Sequence, residues 1–295
     1  MGVTVIAGAG GRLGSALARE WKAAGENVIA LDRHSLPLGD PAVLKRTLSA
    51  LDFDVLVNCA ALTNVDYCEG NRDEAFRING EAPAALAVLC EQKGARCIHI
   101  STDYVFDGLA NRPYRESDAA NPVSVYGASK LAGEQAVVSV GERHWSVRVS
   151  WVFGPDRPSF VDQIVTRAVK EDRVDAVADK WATPTYTLDA GQLLRPFLRQ
   201  IEGGGIIHLS NAGLCSWQEY GQWALDCAHE AGVALKAKTV GALAMADLKA
   251  FIAKRPPYTA MDTSKIAGLT GCEPRSWKDA VRDHIFAQAK LGVWG

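Results

Sequence analysis

The chain has 295 residues, of which 48% are hydrophobic and 22% charged, and its formal net charge at pH 7 is -2. A chain of this length can bury a large core, in one α/β domain or in two linked units. The near-neutral charge excludes a general attraction to nucleic acids or acidic membranes, so we expect a small-molecule partner.

In the first half of the chain, short β-branched segments alternate with longer amphipathic segments. Continuous apolar runs separated by helical segments are typical of parallel strands that are buried on both faces and joined by crossover helices. The pattern predicts an α/β fold with a doubly wound parallel sheet. The predicted strands lie in "VTVIAG", "NVIALD", "DVLVNCA" and "ARCIHIST", and the predicted helices lie over 12–24 and 73–92.

The alternation continues into a strand in "HWSVRVSW", after which "FGPDRPS" interrupts it. We expect residues 1–150 to form a first domain, to which about 187–210 return. The remaining segments of 151–295 are expected to form a smaller C-terminal lobe that binds the substrate. The other elements predicted in this half are a strand in "GGGIIHLS" and helices over 123–139, 187–201, 216–232 and 277–290.

A glycine-rich turn follows the first predicted strand. In "AGAGGRLGSALA", Gly8, Gly11 and Gly14 have the spacing G-x-x-G-x-x-G between a strand and a helix. Glycine permits the tight turn and a close approach of the backbone to a pyrophosphate, while the helix N-terminus presents N–H groups to that anion. The turn, including Arg12 and Leu13, therefore predicts a dinucleotide site in a Rossmann-like sheet.

A carboxylate at the end of the second predicted strand supports this prediction. Asp32 lies where it can accept hydrogen bonds from the adenosine ribose hydroxyls. Its charge would repel a 2′-phosphate, whereas the adjacent Arg33 would attract one. The expected cofactor is NADPH or NADH, and the choice between them stays open.

Three side chains near the predicted cofactor site indicate carbonyl chemistry. Tyr126 and Lys130 lie in "VYGASKLAGE" on one face of a helix, and Thr102 ends the strand in "ARCIHIST". Reduction of a ketone needs an acid that protonates the carbonyl oxygen. We expect Tyr126 to be that acid, Lys130 to lower the pKa of the phenol and to hold the ribose, and Thr102 to polarise the carbonyl.

The cysteines and histidines show no pattern of a disulfide framework or a metal site. The seven cysteines include no C-x-x-C pair and the six histidines have no paired ligand spacing, and His99 is interpreted as a satisfied residue on a buried strand. The N-terminus lacks the positive start of a signal peptide, and no apolar run approaches membrane-spanning length. We expect a cytoplasmic protein without metal, nucleic-acid or membrane partners, and leave open whether it is a homodimer.

Motifs spread in order over nearly the whole chain resemble those of the extended short-chain dehydrogenase/reductase superfamily and, within it, of the dTDP-4-dehydrorhamnose reductases. The resemblance implies hydride transfer from NADPH or NADH to C4 of a nucleotide-linked 4-keto-6-deoxysugar, as in dTDP-L-rhamnose biosynthesis. Thr102, Tyr126 and Lys130 would keep the roles described above. The motifs are "GAGGRLG", "NCAALTNVDYCE", "STDYVFDG", "YGASKLAGE", "RVSWVFG", "TPTYTLD", "HLSNAGLCSWQEYG" and "RPPYTAMDTSKI".

Other residues receive a role from the resemblance alone. It implies that Ala60 and Ala61 lie along the cofactor and that Asp40 lies near the adenine. It also implies that Trp151 contacts the sugar or the nucleobase, for which an indole offers a broad apolar face. Asp103 is expected either to contact the substrate or to orient its loop.

Two alternative functions stay open, and the sequence departs from the family motifs at two places. Sugar 4,6-dehydratases and epimerases share the turn and the Tyr/Lys pair, but Asp103 is followed here by Tyr104 instead of the Glu that dehydratases use. The chain also resembles a non-catalytic NADP-binding regulatory subunit of methionine adenosyltransferase. The usual "GxPT" is "ATPT" here and "PY" replaces an expected Asn after "RP", so the sugar and its nucleotide are left undetermined.

Overall fold

The computed structural model describes residues 2–248 and 251–294. None of the helices in these two ranges is long and apolar enough to cross a membrane. The strands are β1 (Val3–Ala7), β2 (Asn27–Leu31), β3 (Val55–Asn58), β4 (Arg96–Thr102), β5 (Trp145–Val149), β6 (Val152–Phe153), β7 (Val174–Val177), β8 (Trp181–Ala182), β9 (Thr185–Tyr186), β10 (Gly205–His208), β11 (Cys215–Ser216) and β12 (Val240–Leu243).

Helices join most of these strands. Single turns of other helix types are a π-helix at Arg77–Glu81 and 3₁₀-helices at Asp103–Val105, Arg195–Leu198 and Met245–Asp247. The α-helices are α1 (Arg12–Ala23), α2 (Pro41–Ser49), α3 (Val65–Gly70), α4 (Arg72–Phe76), α5 (Ala82–Gln92), α6 (Val125–Val140), α7 (Phe160–Lys170), α8 (Thr187–Leu194), α9 (Trp217–Glu230), α10 (Ser264–Thr270) and α11 (Trp277–Lys290).

Six strands form one parallel sheet in the order β10-β5-β4-β3-β1-β2. Every residue of β3 and β5 is buried, as expected for strands that have helices on both faces of the sheet. The prediction of a Rossmann-like, doubly wound parallel sheet is thereby confirmed. Because the chain order reverses between β1 and β3, the loops that follow these two strands border a crevice at the carboxyl edge of the sheet.

Alternate residues of β1 contribute to two cores, one on each face of the sheet. In β1, Ile6 packs in a cluster with Leu17 and Trp21 of α1, while Val5 and Ala7 pack on the other face against α2 and α5. The Trp21 Nε1–H donates to the Gly191 carbonyl of α8 at 2.8 Å, which ties α1 to α8. Helix α8 thus packs on one face of the main sheet, and β10 forms one edge of it. The boundaries of the two predicted domains stay a prediction.

A separate aromatic core lies among α7, α9 and α11. Buried Phe153, Tyr220 and Trp277 belong to it. The centroid of the Tyr220 ring lies 5.8 Å from that of each of the other two rings. Three short pairs of strands border it: β6 with β9, β7 with β12, and β8 with β11. The region that follows β5 therefore has a core of its own.

Two predicted helices are shorter or less regular than expected. The helix predicted over 73–92 is α4, a π-helical turn and α5, because buried Asn79 bonds sideways to the Leu62 backbone and to the Ser129 hydroxyl. The helix predicted over 187–201 ends at Leu194, and a 3₁₀ turn that contains Pro196 follows. In contrast, α1, α9 and α11 lie within one or two residues of their predicted bounds.

Helix α6 approaches the end of β4 closely because it has no side chain at Gly127. A Cβ atom there would lie 2.2 Å from the Tyr104 carbonyl oxygen. The Ser124 hydroxyl accepts a hydrogen bond from the Gly127 N–H and caps the helix at the same point. Gly127 therefore sets the distance between Tyr126 on the helix and Thr102 on the strand.

We predict that Gly127→Ala lowers the free energy of unfolding by about 2 kcal/mol, because a methyl group has no room against a backbone carbonyl. Gly268 in α10 is the matched control, since outside its own helix backbone no heavy atom of the described residues would lie within 4 Å of a Cβ there. Gly268→Ala should be neutral or stabilising by up to about 1 kcal/mol. Urea denaturation followed by circular dichroism measures both, and equal stability of the two variants would contradict the packing argument.

Candidate active site

A cleft of about 630 Å³ opens at the carboxyl edge of the sheet. Both the glycine-rich turn and the Tyr/Lys pair of α6 border it, although the chain separates them by more than a hundred residues. The structure therefore brings together most of the residues singled out in the sequence. Those that line the cleft are Gly8, Gly11, Arg12, Leu13, Asp32, Arg33, Ala60, Ala61, Tyr126 and Lys130.

The glycine-rich turn has the geometry that an anion at a helix N-terminus requires. Gly14 packs on Gly8 so closely that a Cβ at position 14 would lie 2.3 Å from the Gly8 oxygen. Gly11 is the N-cap of α1, and among the described residues no side chain caps this end. The first N–H groups of α1 are therefore available to a ligand in the cleft, as a dinucleotide diphosphate requires.

The second strand delivers a negative and a positive charge to the same cleft. One oxygen of Asp32, Oδ1, accepts hydrogen bonds from the backbone N–H groups of His34 and Ser35 and from the Ser35 hydroxyl. These bonds lower the pKa of the carboxyl group, which is thus ionised at neutral pH. Arg33 and His34 stand beside it on the cleft wall.

Two arginines join the glycine turn to the segment that follows β6. The Arg12 guanidinium donates to the carbonyl oxygens of Val152 at 3.2 Å and Pro158 at 2.5 Å. In the opposite direction, Arg157 Nε donates to the Gly10 carbonyl at 2.6 Å, and its side chain lines the cleft. Arg157 could not be recognised as a site residue from the sequence, because a single arginine in an irregular loop carries no local signal of a site.

Tyr126 and Lys130 are both buried at the floor of the cleft. The Lys130 Nζ donates to the Ile100 carbonyl at 2.6 Å and lies 3.2 Å from His99 Nε2. Burial lowers the pKa of Lys130 to about 8. Burial raises the pKa of the Tyr126 phenol, and the Thr102 hydroxyl acts in the opposite direction. The side chains around Tyr126 thus do not by themselves lower the pKa of its phenol. From the sequence, such a lowering is expected of Lys130 acting together with a nicotinamide.

Asp103 is enclosed beneath the cleft and does not line it. Its Oδ1 accepts a hydrogen bond from the Thr102 hydroxyl at 3.1 Å, and its Oδ2 accepts from Ser150 at 2.8 Å and Thr259 at 2.5 Å. Only 2% of the residue is exposed, so burial raises the pKa of the carboxyl group, while buried Lys180 opposes that rise. Of the two expectations for Asp103, these contacts support the one in which it orients its loop.

Trp151 lies on a second, smaller cleft of about 230 Å³ beside the first. Its φ angle of 41° is in the left-handed region, which costs a non-glycine residue about 1–2 kcal/mol. The indole faces Trp217 at a ring distance of 5.7 Å, and Phe160 completes an aromatic wall. Trp217 and Phe160 were not predicted as site residues. Each directly follows a serine N-cap, which places it at the start of a helix and is the one local signal that the sequence offers.

Asp40 lies outside both clefts. Its Oδ1 accepts hydrogen bonds from the N–H groups of Ala42 and Val43, both at 3.0 Å, and it is the N-cap of α2. Capping of the helix is therefore sufficient to explain an acidic residue at this position, and contact with a ligand is not needed to explain it. The structure therefore separates Asp40 from the group of residues that share the cleft.

Comparison with known proteins agrees with this architecture. A family model described as the RmlD substrate binding domain matches residues 2–289. The dTDP-4-dehydrorhamnose reductase of Mycobacterium tuberculosis (strain ATCC 25618 / H37Rv) is 36% identical, over 97% of this chain and 93% of the relative. The spore coat polysaccharide biosynthesis protein SpsK of Bacillus subtilis (strain 168) is 33% identical, over 95% and 96%.

A solved structure is similar over almost the same length. The dTDP-4-dehydrorhamnose reductase from Bacillus anthracis str. Ames, crystallised in complex with NADP, superposes with a TM-score of 0.89 at 28% identity. The match covers 97% of this chain and 99% of that protein. The resemblance inferred from the sequence motifs is confirmed by these matches.

We predict that Asp103→Asn lowers the free energy of unfolding by about 3 kcal/mol, because it leaves the buried Lys180 without its opposing charge. Lys180→Met should also be destabilising, because it leaves the buried Asp103 carboxylate without its opposing charge. The double variant should lose clearly less stability than the sum of the two single variants. A double-mutant cycle in urea measures this coupling, and additive effects would show that the two charges do not interact.

Proposed function

Because the chain belongs to the RmlD substrate binding domain family, we propose that it reduces the C4 keto group of a nucleotide-linked 4-keto-6-deoxysugar with NADPH or NADH. One observation carries this proposal: a phenol, an amine and a helix N-terminus that no described side chain caps border one cleft. The names of the relatives, dTDP-4-dehydrorhamnose reductases among them, support the class of sugar. The NADP complex of the B. anthracis protein supports the class of cofactor.

The residues of the main cleft fit a dinucleotide. The N–H groups at the start of α1, next to Gly11, would hold its diphosphate, and Asp32 would accept hydrogen bonds from a ribose. Arg33 and Arg157 give positive charge near the same wall, where a 2′-phosphate would be stabilised. The nicotinamide of the bound cofactor supplies the hydride.

Within this proposal, Tyr126 donates the proton that the carbonyl oxygen needs. The high pKa that burial gives the phenol keeps it protonated until an alkoxide forms beside it. The Thr102 hydroxyl donates to Asp103 in this structure and accepts from the Tyr104 N–H, so one lone pair remains that can accept a hydrogen bond from the phenol. Rotation about its C–O bond would let the same hydroxyl donate to the carbonyl oxygen.

We propose different positions for Asp103 and Trp151 relative to the sugar. Asp103 holds Thr102 in place from beneath, since both of its oxygens are already bonded to hydroxyls. Trp151 and Trp217 offer aromatic faces in the smaller cleft, against which the substrate would pack. The strained backbone at Trp151 is consistent with an indole that is held in position for a ligand.

We predict that the purified protein oxidises NADPH or NADH when dTDP-4-keto-6-deoxyhexose is added, and that Tyr126→Phe slows turnover about 10²–10⁴-fold. Cofactor affinity of the variant, measured by quenching of tryptophan fluorescence, should stay unchanged because the ring is retained. A panel of other nucleotide keto-sugars in the same absorbance assay identifies the preferred substrate.

Tyr67→Phe is the matched control, because this phenol is exposed and, within the described part of the chain, bonds only to Glu74 on the protein surface. Near-normal reduction by Tyr126→Phe would remove Tyr126 from the role of the acid. A protein that binds the cofactor, reduces no keto-sugar in the panel and co-purifies with a large enzyme would support the regulatory role instead.

We predict that Asp32→Ala weakens NADH binding about tenfold and NADPH binding less, because the variant loses both a ribose acceptor and a charge that repels phosphate. Asp32→Asn removes the charge but keeps the loop structure, since its side-chain oxygen can still accept from the N–H groups of His34 and Ser35. Comparison of the two variants therefore distinguishes a loss of charge from a change in the loop. Fluorescence titration gives both dissociation constants. Unchanged affinities for both cofactors would show that Asp32 does not face the ribose.

A further inference from the structure

A buried chain of polar groups runs beneath the main cleft and ends at Lys130. It connects three elements of the fold: Asn58 ends β3, His99 lies in β4, and Lys130 lies on α6. Asn58 and His99 are fully buried and Lys130 is 2% exposed. Because water cannot satisfy these groups, the hydrogen bonds between them decide which atoms carry protons.

The orientation of the Asn58 amide is determined by the backbone. The Ala60 N–H, which can only donate, lies 3.1 Å from Asn58 Oδ1. The amide oxygen therefore faces the loop after β3, and Nδ2 faces the other way. This nitrogen lies 3.0 Å from His99 Nδ1, to which it donates.

The amide in turn determines the tautomer of the histidine. Because Nδ1 accepts a hydrogen bond from Asn58, it carries no proton, and the proton of the neutral imidazole is on Nε2. An imidazolium ring would set an N–H against the amide N–H. Burial, together with the positive charge of a protonated Lys130, also lowers the pKa of His99 well below its ordinary value.

The proton on Nε2 points at the lysine. His99 Nε2 lies 3.2 Å from Lys130 Nζ, and Nζ donates to the Ile100 carbonyl at 2.6 Å. A neutral amine has a lone pair that can accept from Nε2–H, whereas an ammonium group has none. The hydrogen bonds then run in one direction, from the Ala60 N–H through Asn58, His99 and Lys130 to the Ile100 oxygen.

We infer that His99, in the tautomer set by Asn58, is a positioning residue that favours the neutral amine of Lys130. The consequence for Tyr126 rests on the proposed function. A proton that moves from the Lys130 ammonium to a Tyr126 phenolate leaves a neutral amine and a neutral phenol, so no charge or proton is lost. By stabilising that product, His99 favours the state in which Tyr126 carries the proton that reduction consumes.

The other ionisable groups around Lys130 do not reverse this preference. Glu134, one turn further along α6, is bound through both oxygens to Arg148 at 3.0 and 2.5 Å. The Cys59 thiol, which follows β3, has its pKa raised to about 12 by burial and is neutral at working pH. Tyr126, on the same helix, is kept protonated by its own burial.

The test measures the protonation of Lys130 directly. Lysine labelled with ¹³C at Cε gives an NMR signal for each side chain, and the signal missing in Lys130→Arg identifies Lys130. In the wild-type protein, this signal should titrate with a midpoint near 8, well below the value of about 10.4 for solvent lysines. A wild-type midpoint near that of solvent lysines would overturn the inference.

Two variants remove the donor that faces Lys130. His99→Gln can turn its amide oxygen toward Nζ, and Asn58→Asp accepts from Nδ1–H and so leaves Nε2 as an acceptor. Both should raise the Lys130 midpoint by about one pH unit, because each lets an ammonium donate in this direction. His99→Gln adds no charge, so an increase in Asn58→Asp alone would be a charge effect and would overturn the inference.

Ser146→Ala is the control for packing. Ser146 lies opposite His99 in the register of β4 and β5, and its buried hydroxyl has no hydrogen-bond partner among the described residues. This variant should leave the midpoint unchanged, and a shift as large as that of His99→Gln would overturn the inference. If Asn58→Asp does not fold, as judged by circular dichroism, His99→Gln decides alone because it adds no charge. If His99→Gln does not fold, His99→Asn, which also adds no charge and can also turn its amide oxygen toward Nζ, replaces it.

The titration needs no turnover, so its result is separate from that of the proposed function. A protein that reduces no keto-sugar but shows the expected midpoints would contradict the proposed function and support the role of His99. An active reductase whose Lys130 midpoint does not move in the folded variants would contradict only the role of His99.

Discussion

Burial of ionisable side chains at the floor of the cleft governs much of its structure. Lys130, His99, Asp103 and Lys180 are each 2% exposed or less, and a group so enclosed is costly unless a partner satisfies it. Each therefore has a defined partner: a carbonyl, an amide, a hydroxyl or an aromatic face. These obligatory bonds hold the proposed reacting groups in one arrangement, which is what a site for proton transfer requires.

The same bonds connect parts of the chain that are distant in sequence. Thr259 reaches Asp103 from the C-terminal region, and Lys180 donates to the Pro256 carbonyl. Arg12 donates from the end of the glycine turn to the loop after β6, and Arg157 of that loop donates back to the glycine turn. These bonds add to the pairing of β10 with β5 and to the packing of α8 on α1. Because they lie around the cleft, binding at the cleft and the packing of the region beyond β5 are physically linked.

Several features could be predicted because they depend on local chemistry. The glycine turn needs glycine wherever the backbone approaches another backbone, as at Gly14 against Gly8, and this requirement is visible in the spacing. Helical periodicity is sufficient to put Tyr126 and Lys130 on one face. In contrast, the π-helical turn around Asn79 depends on the loop at Leu62 and on Ser129, which no local pattern indicates.

By itself, the sequence determined the six strands of the parallel sheet, the helices with clear periodicity, the glycine turn and the side chains that the proposed chemistry uses, since each follows from periodicity or from the conformation of a few neighbouring residues. Only the tertiary structure decided that Asp103 is enclosed by Ser150 and Thr259, that Arg157 joins the cleft, and that Asn58 sets the proton of His99. The reason is physical: direction, burial and protonation depend on partners that the fold brings together from distant positions.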